Sequence, residues 1–212
     1  MDSVDSSPFG RHDPKPSKKW AVSMDAREMV PVVTATQSSP PPAPKGGEAE
    51  RLPILQSMLP WWRQLPRWRE ELPIWNGDLI APLRPWLANL LMVRFPRDGG
   101  TARFTLYGAA LIRFSGMDAT GRDIGTGLMP AFEGAADSYM RTHKAARPNW
   151  SRVRIDLSSG ERVHYSRLLL PFHCGDGDRR LLGIIHFDSP LPDRSVNSPL
   201  TMHIEQEAML LG

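Results

Sequence analysis

The sequence predicts an α+β domain, with a five-stranded antiparallel sheet and short helices on one face, preceded by a disordered N-terminal tail. Three observations carry this prediction. Apolar residues alternate with polar ones in several C-terminal segments bounded by Gly, Asp and Ser turns. One segment, from Pro130 to Arg147, instead has helical spacing. The 21 prolines of the 212-residue chain crowd toward its N-terminus, where a packed core is least expected.

Residues 1–50 mix Ser, Pro, Lys and Asp with few large apolar side chains, and the run Ser38 to Pro44 (SSPPPAP) favours extended conformations. This stretch reads as a disordered tail, with the scattered apolar residues from Trp20 to Val33 as linker. Residues 51–80 form a Trp-rich flanking segment. Its apolar side chains, Trp61, Trp62, Trp68 and Trp75 among them, are punctuated by Pro60, Pro66 and Pro73, so the expectation is two short amphipathic helices broken near a proline.

The domain proper is expected over 81–189. Leu90 to Phe95 and Arg103 to Tyr107 read as a hairpin around Asp98, Gly99 and Gly100. Gly108 to Gly127 is small-residue and Gly-punctuated, suited to short helices and turns. In the helix from Pro130, the residues Phe132, Ala136, Tyr139, Met140 and His143 recur as its apolar face. Three strands follow, Ser151 to Leu157, Arg162 to Phe172 and Arg180 to Phe187, joined at Ser158–Gly160 and Gly175–Asp178. Residues 190–212 read as an extension with a short helix from Thr201 to Leu211.

Composition limits function. A net charge of +3 permits nucleic acid without implying it. The stretch from Arg141 to Arg167, where seven Lys or Arg face only Asp156 and Glu161, reads first as a solvated strand face. One cysteine, Cys174, excludes an internal disulfide framework and a multi-thiolate metal site. With no basic-then-apolar leader and no apolar run near the ~20 residues that cross a bilayer, the expectation is a cytoplasmic protein without a membrane span.

The residues also carry a resemblance. Arg103 to Gly108 (RFTLYG), Thr120 to Arg122 (TGR), Arg147–Pro148 and Tyr165 to Phe172 (YSRLLLPF), with Trp62, Arg63 and Leu72–Pro73 ahead of the first strand, resemble the PAS-fold family common in alphaproteobacteria and formerly catalogued as a domain of unknown function. The similarity spans about residues 62–188. The chain departs from the family's pattern at Thr105, where members usually carry arginine, and at Ala109, where they carry threonine. Of a pair of aspartates before the first strand, only Asp78 is retained. The resemblance implies a non-catalytic regulatory or sensory domain that couples a small ligand or a protein contact to bacterial signalling, often as a dimer through its N-terminal segment.

Candidate site residues follow from both readings. A cavity under the long helix would be lined by Tyr107, Phe114, Tyr139, Met140 and His143, with Ser166 and Leu168 from the sheet, and would take a small ligand or be filled by its own side chains. Trp61, Trp62, Trp68 and Trp75 are the interface candidates, for a homodimer or another signalling protein. No cofactor is expected; the alternative is haem on His143, which shares the apolar face with Tyr139 and Met140. His164, His173 and His186 lack metal-ligand spacing, and Cys174 lies before a turn rather than beside the cavity. No nucleophile elbow, phosphate loop or carboxylate pair appears, so no enzyme is expected; the GRDIGTG run at Gly121 to Gly127 lacks a preceding strand. The rival reading is a nucleic-acid-binding adaptor using Arg152, Arg154, Arg162 and Arg167.

Overall fold

The computed structural model describes residues 51–69, 71–125, 133–191 and 200–210; of residues 51–56 and 133 it describes the backbone alone. The expected tail over 1–50 and the start of the helix at Pro130 lie outside the described residues. In chain order the elements are α1 (Arg51–Gln64), β1 (Arg67–Trp68), β2 (Leu72–Trp75), β3 (Leu90–Phe95), β4 (Arg103–Tyr107), α2 (Ala109–Ser115), α3 (Glu133–Ala145), β5 (Asn149–Leu157), β6 (Arg162–Cys174), β7 (Arg179–Phe187) and β8 (Leu200–Met209). Two 3-10 segments, Gly77–Ile80 and Arg84–Asn89, bridge β2 to β3.

The fold is α+β, and among the described residues its sheet has eight strands rather than the expected five. The five expected strands, β3 to β7, are antiparallel neighbours in the spatial order β4-β3-β7-β6-β5. Three strands are additional. β8 extends the sheet beyond β5, from Leu157 opposite Leu200 to Asn149 opposite Met209. The segment from Thr201 is therefore a strand and not a helix: its Glu, Gln and Ala favour a helix locally, but the ladder along β5 outweighs that weak preference.

The Trp-rich segment also differs from expectation. α1 runs through Pro60 instead of breaking there. A proline inside a helix costs about 3 kcal/mol, and burying Met58, Trp61 and Trp62 offsets it at about 1.5–3 kcal/mol per large side chain. Past Pro66 the second expected helix is a hairpin, with Trp68 opposite Leu72, and β2 runs parallel to the end of β6 at Ile74–His173 and Trp75–Cys174. β6 thus has β5 beside its first part and β2 beside its end. Pro171 falls in the gap between them, where no ladder donor is required, and its carbonyl accepts from Trp62 Nε1 at 2.9 Å.

Both faces of the sheet are buried, so the helices are not confined to one face. Leu91, Val93, Val163, Tyr165, Leu169, Leu181 and Ile185 pack with α2 and α3. Leu90, Met92, Leu168, Leu170, Phe172, Leu182 and Ile184 pack with α1, Trp75 and Trp86 on the other side. The unbroken apolar run Leu168–Phe172 is what a strand covered on both faces requires. Gly108 permits a close crossing: a Cβ there would lie 2.3 Å from the Leu87 carbonyl oxygen. Its N–H donates to Leu90 at 2.8 Å and starts α2 over the sheet.

Candidate functional site

Between α2, α3 and the sheet lies a cavity of about 20 Å³, lined by Leu91, Tyr107, Leu111, Phe114, Ala135, Tyr139, Tyr165, Ile185 and Phe187. That is room for about one water or methyl group. Its aromatic wall is continuous, with Phe114 and Phe187 rings 5.0 Å apart and Tyr165 and Phe187 rings 5.6 Å apart. The three tyrosines of the chain all line it. Burial pushes all three phenols above their ordinary pKa, while the Arg167 guanidinium draws Tyr139 and Tyr165 partly back. All three are neutral at physiological pH.

Of the cavity residues expected from sequence, Tyr107, Phe114 and Tyr139 line the space. Met140 packs at the margin of the same cluster without lining it. His143 lies outside the cavity: its ring stacks on Phe95 with centroids 4.0 Å apart and planes 4° apart, and its backbone carbonyl accepts from Arg179 Nη1 at 3.3 Å. Burial, with Arg179 and Lys144 adding to it, lowers the His143 pKa and favours the neutral ring. A haem in this cavity would not find His143 on its wall. Among the described residues no three His, Cys, Asp or Glu side chains gather as a metal site.

Ser166 and Leu168 belong to the opposite face, a correction that follows from strand alternation. Leu168 packs in the α1 layer, and Ser166 Oγ accepts from Arg152 Nη1 at 3.3 Å. The odd-numbered residues of β6 face α3, so Tyr165 holds the place assigned to Ser166. That parity was readable, because only one phase of β6 is compatible with Val163, Tyr165 and Leu169 sharing a core. The face of α3 is corrected likewise. Ala135, Ser138, Tyr139 and Thr142 are its buried stripe, while Ala136, Met140 and His143 are half-buried. Hydropathy hid this: Thr142 Oγ1 donates to the Ser138 carbonyl at 2.7 Å, and Ser138 Oγ donates to Glu207 Oε1 at 2.8 Å.

Those hydroxyls belong to a polar layer beneath α3. Ser138, Thr142, Asn149, Ser151 and Arg167 are each 0% exposed. Glu207, Ser151 and Arg167 stand in one row across β8, β5 and β6. Glu207 is held by Asn149 Nδ2 at 2.9 Å, Ser138 Oγ at 2.8 Å and Arg141 Nη2 at 2.6 Å. Burial pushes its carboxyl up, but the hydrogen bonds from Asn149, Ser138 and Arg141 outweigh this and hold its pKa below the ordinary value. Arg167 Nε donates to Ser151 Oγ at 3.0 Å, and its guanidinium carbon lies 5.4 Å from the Tyr139 ring centroid. No expectation placed Arg167 inside the protein.

The interface candidates divide. Trp61, Trp62 and Trp75 are buried in the chain's own core and cannot form a contact surface without unfolding it. Trp68 is 43% exposed and stacks on His173 at 5.1 Å. The basic strands are largely paired: Arg152 with Asp188, Arg154 with Glu205 and Asp156 at 3.2 Å each, and Arg162 with Asp156 at 3.5 Å. Arg167 has no access to a phosphate backbone. Cys174 is buried facing the α1 layer, where burial raises its thiol pKa.

No family model and no curated protein sequence matches the chain. Among solved structures it is similar to Vibrio cholerae VqmA, a LuxR-type receptor solved as a dimer in the absence of target DNA, with a TM-score of 0.33 and 14% identity. The similarity covers 53% of this chain and spans about half, 51%, of that one.

Proposed function

We propose that this protein is a non-catalytic PAS-type regulatory domain of bacterial signalling, acting through protein contacts and self-association, with the cavity beneath α2 and α3 as its sensing element. The observation that carries this reading is the arrangement of β3 to β7. Two strands, short helices, a longer helix and three further strands close into one antiparallel array, with α2 and α3 laid across one face around a small aromatic cavity. That element order is the one found in PAS domains.

Burial of Trp61, Trp62 and Trp75 moves the contact surface away from α1. Trp68 remains, at the exposed hairpin of β1 and β2, together with the outer edge of β8, which pairs only with β5 among the described strands. Light scattering on the full chain and on Trp68→Glu tests this. A dimer that the substitution shifts to monomer supports it; a monomer for both at every concentration removes self-association through this hairpin.

A further inference from the structure

The two long edges of the sheet differ. Along β4 the edge is covered: Phe104 N–H donates to the Arg122 carbonyl at 3.0 Å, Gly121 N–H to the Phe104 carbonyl at 2.8 Å and Ile124 N–H to the Ala102 carbonyl at 3.0 Å. β8 is open. Among the described residues its ten-residue backbone pairs with β5 alone, so a row of N–H and C=O groups faces outward along Leu200–Met209. Native edge strands are ordinarily blunted by shortness, lysine or proline. This one is long, holds no Lys, Arg or Pro, and carries neither Asp nor Glu from Leu200 to Ile204.

The same side of the molecule carries the large apolar side chains left exposed among the described residues, Trp68 and Met209. β5 and β2 both lie on the side of β6 away from β7, so β8 and β1, each one strand further out, share an outer edge. Met209 sits at the end of β8 nearest the Trp68 hairpin. The open edge is thus continuous with the contact surface assigned to that hairpin.

The sequence of β8 is complementary to itself. Glu205 is the extra residue of a bulge, left between Ile204 opposite Val153 and Gln206 opposite Arg152. Leu200, Met202 and Ile204 therefore face α3 together with Glu207 and Met209, and the other residues face the opposite way. A second β8, antiparallel across a two-fold axis at Ile204, preserves both faces. His203 then stands opposite the partner's Glu205, twice in the pair, and Leu200 covers the partner's Met209. No two carboxylates meet, whereas an axis one residue further on would set the two Glu205 side chains against each other.

We propose that a second copy of this chain pairs on β8, antiparallel across a two-fold axis at Ile204, so that the two sheets join into one. The inference rests on the self-association reading above and gives it a geometry.

Cysteine crosslinking on the full chain, alongside sedimentation, tests it. Ile204→Cys brings two thiols together across the axis, with Cα atoms about 4.5–5.5 Å apart, inside the range a disulfide spans. A covalent dimer is the expected main product of mild oxidation. Should that variant fail to fold, Thr201→Cys mixed with Ala208→Cys supplies the check, since both positions are exposed and face each other across the pair. The mixture should crosslink and neither variant alone should, because two copies of either position stand about 20 Å or more apart. The unsubstituted chain, whose Cys174 is buried, sets the background. A sedimenting dimer in which neither crosslink forms, or in which Thr201→Cys joins to itself, overturns this pairing and leaves self-association standing. A chain that is monomeric at every concentration overturns both, and β8 amides protected from exchange in that monomer would assign the edge to another segment of the same chain.

Discussion

Replacing Trp62 with alanine separates a core role for α1 from an interface role. Trp62 is 1% exposed, donates Nε1–H to the Pro171 carbonyl at 2.9 Å, and carries the Arg67 guanidinium 4.7 Å above its ring. Truncating a buried Trp costs about 3–5 kcal/mol. The Pro171 carbonyl, in the gap between β5 and β2, then loses its bond from Trp62, which adds about 1–3 kcal/mol where the group stays dry. The total expected loss is about 4–8 kcal/mol, a large part of the about 5–15 kcal/mol that holds a typical domain together. Trp62→Phe keeps most of the apolar area and isolates the hydrogen bond, with an expected loss of about 1–3 kcal/mol. Urea unfolding followed by tryptophan fluorescence at several protein concentrations measures both. The reasoning fails if Trp62→Ala leaves the midpoint unchanged while lowering the association constant, because α1 would then be packing on a partner.

Other expected outcomes follow from the same layers. In an ultraviolet titration, none of the three tyrosines should ionise near the ordinary pKa of 10.0, because burial raises the phenols. The unfolded chain loses those protons first, so stability is complete below pH 10 and falls as pH rises above it; a gradual titration before unfolding would contradict the buried cavity. Glu207→Gln should cost about 1–3 kcal/mol at neutral pH by weakening three hydrogen bonds to a charged acceptor. The Glu207 pKa is lowered by folding, so its contribution is present above the ordinary 4.5 and disappears as pH falls through and below it; the variant's acid unfolding should therefore be less steep. Gly183→Ala places a Cβ 2.6 Å from Leu91 Cδ1 and 2.7 Å from its Cγ, and should destabilise by about 1–3 kcal/mol through overpacking at the cavity wall. Unchanged thermal stability in that variant would mean that Leu91 is free to move.

What was legible in the sequence was local. The strands at Leu90, Arg103, Ser151, Arg162 and Arg180 announce themselves by alternation and by Gly–Asp turns, and the structure starts each within two residues of that position. Where the reading fell short, a distant partner decides. The helix-favouring segment from Thr201 is a strand because β5 has a free edge, and the prolines at 66 and 73 sit in a hairpin because β2 completes the end of β6. The tryptophans looked like surface because no pattern in α1 shows what lies above Phe172 and Pro171. At the site, Tyr107, Phe114 and Tyr139 were found because bulky aromatic residues at element ends tend to converge. Ser166 and Leu168 lie out of phase with the cavity face of β6, and Arg167 reads as a surface cation because charge normally means solvent.

The central claim is that this domain works through a contact surface away from its own core. Hydrogen exchange on the full chain, compared between dilute and concentrated protein, tests it most directly. The account predicts concentration-dependent protection along the β1–β2 hairpin at Trp68 and along β8, with α1 equally protected in both. Protection that is identical at every concentration, or that appears in α1 alone, would contradict it.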